Sequence, residues 1–448
     1  PHIFSSQELI SELQTKFNTN DPLWNQYESK LGPKIVSAAA NPNSYGRNSY
    51  CSEAALLYHV TGNSEYLNAA LILLDSNIAS WSSGFSGNAY RWADAQLGKC
   101  LDLLWNEVSQ SKREEAITVM ITAAEEEFDP REQDTDEYAS IARSLVIDGL
   151  VACNAEGISQ SVSDQACEVL DEGLRMFYGV QLVKAKRDVG KFAQSGGNLP
   201  DGTFYGAGTR DYWFETLWAL HNSGQDVSEY MPWLNNQLLS FNVYSMTPSK
   251  IGLAPFGDIE NFDAAFDNEP NSYPIYYKFW DSLGLQMLLL EENGFTNEAE
   301  IANWLLQTFD DNDETLLSQL MMNDANEISD PRINLPTVYA DTGMDFLYDR
   351  TSWNEDATFL HANAAWGSVD HDHSDAGHFQ LFRNGRWVFN EAMGYDGDAS
   401  EAEGHNVLFL EGNEASSGDG QPSSIKYTGG FLGLSSSEKH SYFRADLT

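Results

Sequence analysis

The chain has 448 residues, of which 42% are hydrophobic and 21% are charged. A chain of this length exceeds what one core holds, which predicts two domains, and its apolar content excludes wholesale disorder. With 25 Lys and Arg against 67 Asp and Glu, the net charge is −42, so we expect neither nucleic acid nor an anionic membrane as a partner. The sequence also lacks the long apolar run that a membrane-spanning helix requires.

The start of the chain bears on its location. The first residue is Pro1 rather than Met, and no charged segment followed by an apolar one precedes the first polar stretch. This pattern predicts a removed signal peptide and a secreted or periplasmic protein.

The four cysteines are Cys51, Cys100, Cys153 and Cys167, and no two form a Cys-x-x-Cys pair. A thiolate zinc site is therefore not expected. A bridge between Cys153 and Cys167 across neighbouring helices is one interpretation, and buried free thiols are the favoured one.

The first part of the chain has a helical period. Apolar residues recur at three- and four-residue spacing in six segments, each ending at Gly, Asn, Pro or Ser: 52–62, 64–81, 90–108, 113–128, 137–155 and 163–183. Asn63 or Ser64 is the predicted N-cap of the second. Helices of this length with short connections predict an α/α toroid, an incomplete barrel of helix pairs, over residues 1–330.

Residues 331–448 have a different texture, with short β-rich runs of period two. Asn384-Gly385 stands between two of these runs and predicts a tight hairpin. The fold class expected is therefore α+β multidomain: an N-terminal toroid followed by an antiparallel β-sandwich that looks cut short.

Histidines are concentrated in this second part. Five of the nine histidines fall between His361 and His405. If the chain is extended there, His371 and His373 project from one face and could bind a transition metal, and His405 could add a third ligand from a neighbouring strand. The alternative interpretation is a solvated polar strand end.

A glycine-rich stretch, 196–214, leads into a predicted helix whose first residue is Asp211. Its aromatic residues include Tyr205 and Tyr212, which could exchange protons or stack on sugar rings, or could simply pack.

Two basic features stand out in this acidic chain. The segment 183–191 carries four cations shortly before Arg210, which suggests a site that tolerates an anion, although a solvated helix end is the favoured explanation. Arg143 interrupts an apolar helix and could pair with Asp136 or Glu137. The motifs of P-loop, dinucleotide-binding, α/β-hydrolase and helical zinc-protease sites do not occur.

Two stretches carry a resemblance to a known family. HDHSDAGHFQLFRNGRWVFNEAMGY followed by EGHNVLFLEG resembles the sheet-domain signature of the heparinase II/III-like polysaccharide lyases. LLYHVTGNSEYLNAALILL and LPDGTFYGAGTRDYW are similar to the toroid of alginate and glycosaminoglycan lyases in that group.

The resemblance implies roles for individual residues. It makes Tyr212, His371 and Arg143 the catalytic residues, with Arg143 as a provisional neutraliser of the substrate carboxylate. It implies a structural divalent metal, zinc first, on His373 and His405, while the family's acidic ligand position falls on Asn390 with Glu391 beside it. The substrate-binding residues expected are Tyr205, Arg210, Asn198 and Tyr395.

The function that the resemblance implies is a polysaccharide lyase that cleaves a uronic-acid-containing anionic polysaccharide by β-elimination. Alginate is favoured over a glycosaminoglycan such as heparin, chondroitin or hyaluronan. The alternatives are a uronate C5-epimerase, a glycoside hydrolase on the same toroid, and a non-catalytic glycan-binding protein.

Overall fold

The computed structural model describes most of the helical part and the core strands of the sheet part. The described residues are 6–42, 50–84, 95–126, 136–182, 197, 202–233, 237–250, 253–254, 256–257, 283–308, 320–321, 329–341, 343, 345–367, 373, 377–390, 406, 427–436 and 441–446.

The helical part is built from helices joined by short connections. They are α1 (Gln7–Asn18), α2 (Pro22–Ala40), α3 (Cys51–Thr61), α4 (Ser64–Ser82), α5 (Gln96–Leu104), α6 (Gln110–Glu126), α7 (Asp136–Ala152), α8 (Gln160–Met176), α9 (Gly202–Asn222), α10 (Leu239–Ser245), α11 (Leu283–Glu292) and α12 (Thr296–Thr308). Each of the six predicted segments overlaps one of these helices. Within the described residues, no helix combines the length and apolarity needed to cross a bilayer.

These helices form two concentric rows. The odd-numbered helices contact each other in the order α1, α3, α5, α7, α9 and α11, and the even-numbered helices α2, α4, α6 and α8 contact each other outside them. Helices α3 and α5 of the inner row run in the same direction, because Ser52 bonds Gln96 near their starts while His59 bonds the Leu103 carbonyl near their ends. This is the predicted α/α toroid.

Local capping explains where helices begin. Asn63 accepts a hydrogen bond from the Glu65 amide at 2.9 Å and so caps α4, as predicted. Asp21 caps α2 in the same way, and Pro22 follows in the first turn, where its missing N–H costs nothing.

The helix that carries Tyr212 begins earlier than predicted. The sequence places residues 196–210 in a loop, but α9 begins at Gly202 and includes Tyr205, Arg210 and Tyr212. Thr203 fixes its first turn, since the Thr203 amide and hydroxyl both donate to the Phe256 carbonyl at 2.8 and 3.0 Å. Tertiary bonding of this kind outweighs the low helix propensity of glycine.

The cysteines form two disulfides, Cys51–Cys100 and Cys153–Cys167, so the expectation of free thiols is wrong. The first joins α3 to α5 in the inner row, and the second links the residue after α7 to α8. The wide spacing in sequence concealed the first pair, because only the packing of α3 on α5 brings its Cα atoms to 5.5 Å.

The strand part contains two antiparallel sheets among the described residues. Their strands are β1 (Val338–Asp341), β2 (Phe346–Arg350), β3 (Phe359–Asn363), β4 (Ala365–Gly367), β5 (Phe379–Arg383), β6 (Arg386–Phe389), β7 (Tyr427–Ser436) and β8 (Ser441–Asp446). One sheet has the order β1-β2-β3-β5-β6, and the other has the order β4-β7-β8. The change from helix to strand falls between Thr308 and Val338, and a domain boundary at residue 330 stays a prediction.

The predicted hairpin is confirmed between β5 and β6. Arg383 pairs with Arg386, and Asn384 and Gly385 both have positive φ, 52° and 77°. Two positive φ values make a tight two-residue turn that matches strand twist, which is why Asn-Gly is favoured there.

One face of β2 packs on the helical part. Phe346 lies 4.8 Å from the ring of Phe256, and Tyr348 lies 5.9 Å from the ring of Phe241. Arg350 continues the face, donating to the carbonyl oxygens of Tyr244 and Met246. Residues two apart on a strand share a face, so this alternation joins the sheet to the region that follows α9.

A single acid caps the short turn that leads into β1. Asp330 accepts from the Arg332 amide at 3.0 Å and from the Arg332 guanidinium at 2.7 Å. Burial would raise the pKa of Asp330, but these bonds and the adjacent charge lower it overall.

We therefore expect Asp330→Asn to reduce the free energy of unfolding by about 1 kcal/mol at neutral pH. The folded-state pKa is below the unfolded value, so the contribution is present above the unfolded pKa and disappears as pH falls through the folded pKa. Denaturant unfolding at neutral pH and near pH 2 checks this, and an equal difference at both pH values would contradict it.

Candidate functional site

Three inner helices bring charged side chains together. Lys99 on α5 and Arg143 on α7 both bond Glu215 on α9: Lys99 Nζ lies 2.7 Å from Oε1, and Arg143 Nη1 lies 3.0 Å from Oε2. The side chains of Lys99 and Arg143 are only 4% and 1% exposed. We call these three residues the ion-pair cluster.

Tyr212 lies directly against this cluster. The Arg143 guanidinium carbon is 4.3 Å from the centroid of the Tyr212 ring, which is a cation–π contact. Tyr212 is half-buried, and its hydroxyl lies beside Gly208, one turn earlier on α9. The structure thus brings together two of the three predicted catalytic residues.

Arg143 has a partner that the sequence does not suggest. The sequence suggests Asp136 or Glu137 on the same helix, but the guanidinium bonds Glu215, 72 residues further along the chain. Sequence reasoning missed Lys99 and Glu215 altogether. The signal that could have found them is a charged residue inside an apolar helix, the same signal that singled out Arg143.

Two residues of α9, Thr203 and Arg210, bond it to neighbouring segments. Thr203 holds its start to Phe256, which packs on β2. Arg210 donates to Asn242 and to the Gly197 carbonyl, and its guanidinium faces the ring of Phe241 at 4.5 Å. Burial lowers the pKa of Arg210.

The predicted substrate-binding residues that the structure describes are both buried. Arg210 is 3% exposed and Tyr205 is 7% exposed. The described contacts of Arg210 support a role in holding α9, while its contact with substrate stays a prediction. Asn198 and Tyr395 lie outside the described residues, as does the basic segment 183–191.

The predicted metal site is described in part. His373 is buried and Asn390 is half-buried, whereas His371, Glu391 and His405 lie outside the described residues. His373 has no strand assignment, and the predicted face that it shares with His371 stays a prediction because His371 lies outside the described residues.

Asn406, the neighbour of His405, ties this region together. Its amide N–H donates to His378 Nδ1 at 3.1 Å, and its side-chain amide donates to the carbonyls of Phe379 and Asn390, each at 3.1 Å. Asn406 is thereby held against the backbone of Asn390. Among the described residues alone, no three His, Cys, Asp or Glu side chains are grouped to hold a metal ion.

A cavity of about 740 Å³ lies elsewhere in the toroid, at the carboxyl ends of α5, α7 and α9. Trp105, Arg113, Leu150 and Asn222 are among its lining residues, and none of the predicted site residues lines it. Tyr212 lies in the middle of α9, so this cavity is distinct from the ion-pair cluster.

Comparison with known proteins identifies the fold. No protein-family description matches the sequence, and no curated protein matches it. Among solved structures, heparinase III aligns with a TM-score of 0.51 and 12% identity over 87% of this chain and 57% of its own. A heparinase III with methylated lysines aligns with a TM-score of 0.50 and 13% identity over 86% of this chain and 56% of its own.

The chain therefore has the fold of heparinase III and spans somewhat more than half the length of those two structures. At this identity the likeness concerns the fold, a helical toroid followed by antiparallel sheet.

Proposed function

We propose that the protein is a polysaccharide lyase that cleaves a uronic-acid-containing anionic polysaccharide by β-elimination. The observation that carries the proposal is the contact of Arg143 with the half-buried ring of Tyr212 on the inner helices. The fold also supports it, because the two solved structures that share this fold are named heparinase III. A strongly acidic chain that buries the Arg143 cation against a tyrosine ring also supports it.

The chemistry of β-elimination needs these residue types. The proton on C5 of a uronate lies next to a carboxylate and is hardly acidic while that carboxylate carries its full charge. Cations or hydrogen-bond donors must therefore neutralise it. A base then removes the proton, the electron pair forms the C4–C5 double bond, and the bond from C4 to the glycosidic oxygen breaks.

Tyr212 fits the proton-transfer role in this proposal. A phenol can accept a proton as phenolate and can donate one to the departing oxygen. The Arg143 charge beside its ring favours the phenolate. His371 is the proposed second proton-transfer group, and no water is consumed in the reaction.

The substrate class proposed first is a glycosaminoglycan. The two solved structures that share this fold are named heparinase III, and neither is named for alginate. Heparin is therefore the first polysaccharide to test, and heparan sulfate and alginate stay in the panel.

Ultraviolet absorbance tests the proposal, because only a lyase creates a conjugated double bond in its product. Purified protein is incubated with heparan sulfate, heparin, chondroitin sulfate, hyaluronan and alginate. We expect the absorbance to rise with at least one of them. New reducing ends without absorbance would indicate a hydrolase, and deuterium uptake at C5 without chain shortening would indicate an epimerase. Binding without any product would indicate a glycan-binding protein.

We also propose a structural divalent ion, zinc first, held by His373, Asn390, Glu391 and His405. The buried imidazole of His373 and the bond of Asn406 to the Asn390 carbonyl fit such a site. A bound ion there would keep His371 in a fixed position by tying neighbouring segments together.

Elemental analysis of protein purified without added metal should give about one equivalent of zinc, and His373→Ala should reduce it severalfold. Asn406→Ala is a matched variant that keeps every proposed ligand and removes only the two side-chain bonds of Asn406, to the carbonyls of Phe379 and Asn390. Less than about a tenth of an equivalent in the unmodified protein would contradict the metal proposal.

Export from the cytoplasm is the location we propose. Two disulfides in one chain support it, since such bonds persist in oxidising compartments. Fractionation of the native host checks this location.

A further inference from the structure

Within the ion-pair cluster, Glu215 bonds both cations, and Arg143 also contacts the ring of Tyr212. We propose that Glu215 is a positioning residue: it holds the Arg143 guanidinium against the Tyr212 ring, and Lys99 in turn holds Glu215. For its effect on the reaction, this inference rests on the proposed function of Tyr212.

The two oxygens of Glu215 are used separately. Oε1 accepts from Lys99 at 2.7 Å and Oε2 accepts from Arg143 at 3.0 Å, so the carboxylate cannot turn toward one cation without losing the other. Both cationic side chains are almost completely buried, and a buried cation that loses its anion is strongly disfavoured. The guanidinium is planar, so fixing Nη1 also restricts the plane that faces the ring.

The positions of these residues on their helices make the arrangement specific. Glu215 and Tyr212 are three residues apart on α9, which places them on the same side of the helix. Arg143 reaches both from α7, bonding the first and covering the second. The neighbouring helices also bury two acids, Asp102 on α5 and Asp148 on α7. The carboxylate of Asp148 lies beside Gly98 on α5.

A simpler interpretation is that the cluster only ties three helices together. The two interpretations differ in what they predict for the Tyr212 phenol. If Glu215 only ties helices, the phenol senses Glu215 as a nearby negative charge, and removing that charge lowers the pKa of Tyr212. If Glu215 positions Arg143, removing it releases the guanidinium from the ring and raises that pKa.

Tyrosine labelled with ¹³C at Cζ makes this measurable in the full chain by NMR, because the Cζ shift follows ionisation of the phenol. The Tyr212 signal is assigned by its loss in Tyr212→Phe. We compare the unmodified protein with Glu215→Gln, whose carboxamide cannot accept from both cations, and with Arg143→Met. Glu172→Gln is the matched control, since Glu172 pairs with Arg175 on the outer helix α8.

We expect the pKa of Tyr212 to rise by about one unit in Glu215→Gln, towards its value in Arg143→Met, and to stay unchanged in Glu172→Gln. A fall or no change in Glu215→Gln would overturn the inference. If Glu215→Gln does not fold, the double variant Lys99→Met and Glu215→Met removes one charge of each sign, and the same rise is expected.

Kinetics provide the second readout. Glu215→Gln should lower kcat about tenfold with little change in KM, and it should cause no further loss in the Arg143→Met background. If the pKa moves as expected but no polysaccharide is cleaved, the positioning role stands and the proposed function fails. If a polysaccharide is cleaved but the pKa does not rise, the proposed function stands and the positioning role fails.

Discussion

Replacing Tyr212 by phenylalanine is expected to lower turnover about a hundredfold or more while leaving substrate binding nearly unchanged, as for a lost general acid or base. The substitution keeps the ring, and with it the contact to Arg143 at 4.3 Å, and it removes only the hydroxyl. Because Tyr212 is half-buried and its backbone lies within α9, the fold should be retained. Steady-state kinetics together with circular dichroism check this.

Tyr205→Phe is the control for this experiment. Tyr205 lies two turns earlier on α9 and is 7% exposed, so its hydroxyl is less accessible to substrate. Turnover should stay within about threefold of the unmodified protein. Loss of turnover in Tyr205→Phe with normal turnover in Tyr212→Phe would show that the two tyrosines have been assigned in the wrong order. If neither substitution matters, His371 becomes the first residue to test.

Removing the Cys51–Cys100 disulfide is expected to cost about 4 kcal/mol of unfolding free energy. The two cysteines are 49 residues apart in sequence, so the bond closes a long loop and restricts the unfolded chain strongly. It also joins α3 to α5, which carries Lys99. Denaturant unfolding of Cys51→Ala with Cys100→Ala measures the loss.

The Cys153–Cys167 disulfide provides an internal comparison. Its cysteines are 14 residues apart, so its removal is expected to cost about 3 kcal/mol. The shorter loop should therefore give the smaller loss. Equal unfolding free energies for the unmodified protein and the Cys51→Ala, Cys100→Ala variant would contradict the pairing of α3 with α5 by a covalent bond.

The elements with strong local signals were predictable from the sequence. The period of α3, α4 and α7, the cap at Asn63 and the turn at Asn384-Gly385 each depend on residues a few positions apart. A run of helical segments followed by a run of strand segments was enough to predict a toroid followed by antiparallel sheet.

Features that depend on distant residues were not predictable in the same way. The start of α9 depends on Thr203 bonding Phe256, 53 residues away, and the Arg143 partner lies 72 residues away. Both disulfides require knowledge of which helices are neighbours. Local propensity therefore predicted a glycine-rich loop where packing produces a helix.

The candidate site was predicted only in part. Family resemblance pointed to Tyr212 and Arg143, and the structure places them in contact. It gave no indication of Lys99 or Glu215. A charge inside an apolar helix marks each position, but the pairing itself leaves a sequence signature only when the partners are a turn apart on one helix. The roles of five other predicted site residues stay predictions, because these residues lie outside the described part of the chain: Asn198, His371, Glu391, Tyr395 and His405.

The most direct test of the central proposal counts double bonds and chain breaks in the same reaction. Absorbance of the conjugated double bond and new reducing ends are measured together on the polysaccharide that responds best in the panel, with Tyr212→Phe in parallel. β-Elimination predicts one double bond for every chain break, and both should fall together in Tyr212→Phe. Chain breaks without double bonds, or double bonds formed equally well by Tyr212→Phe, would contradict the proposed lyase mechanism.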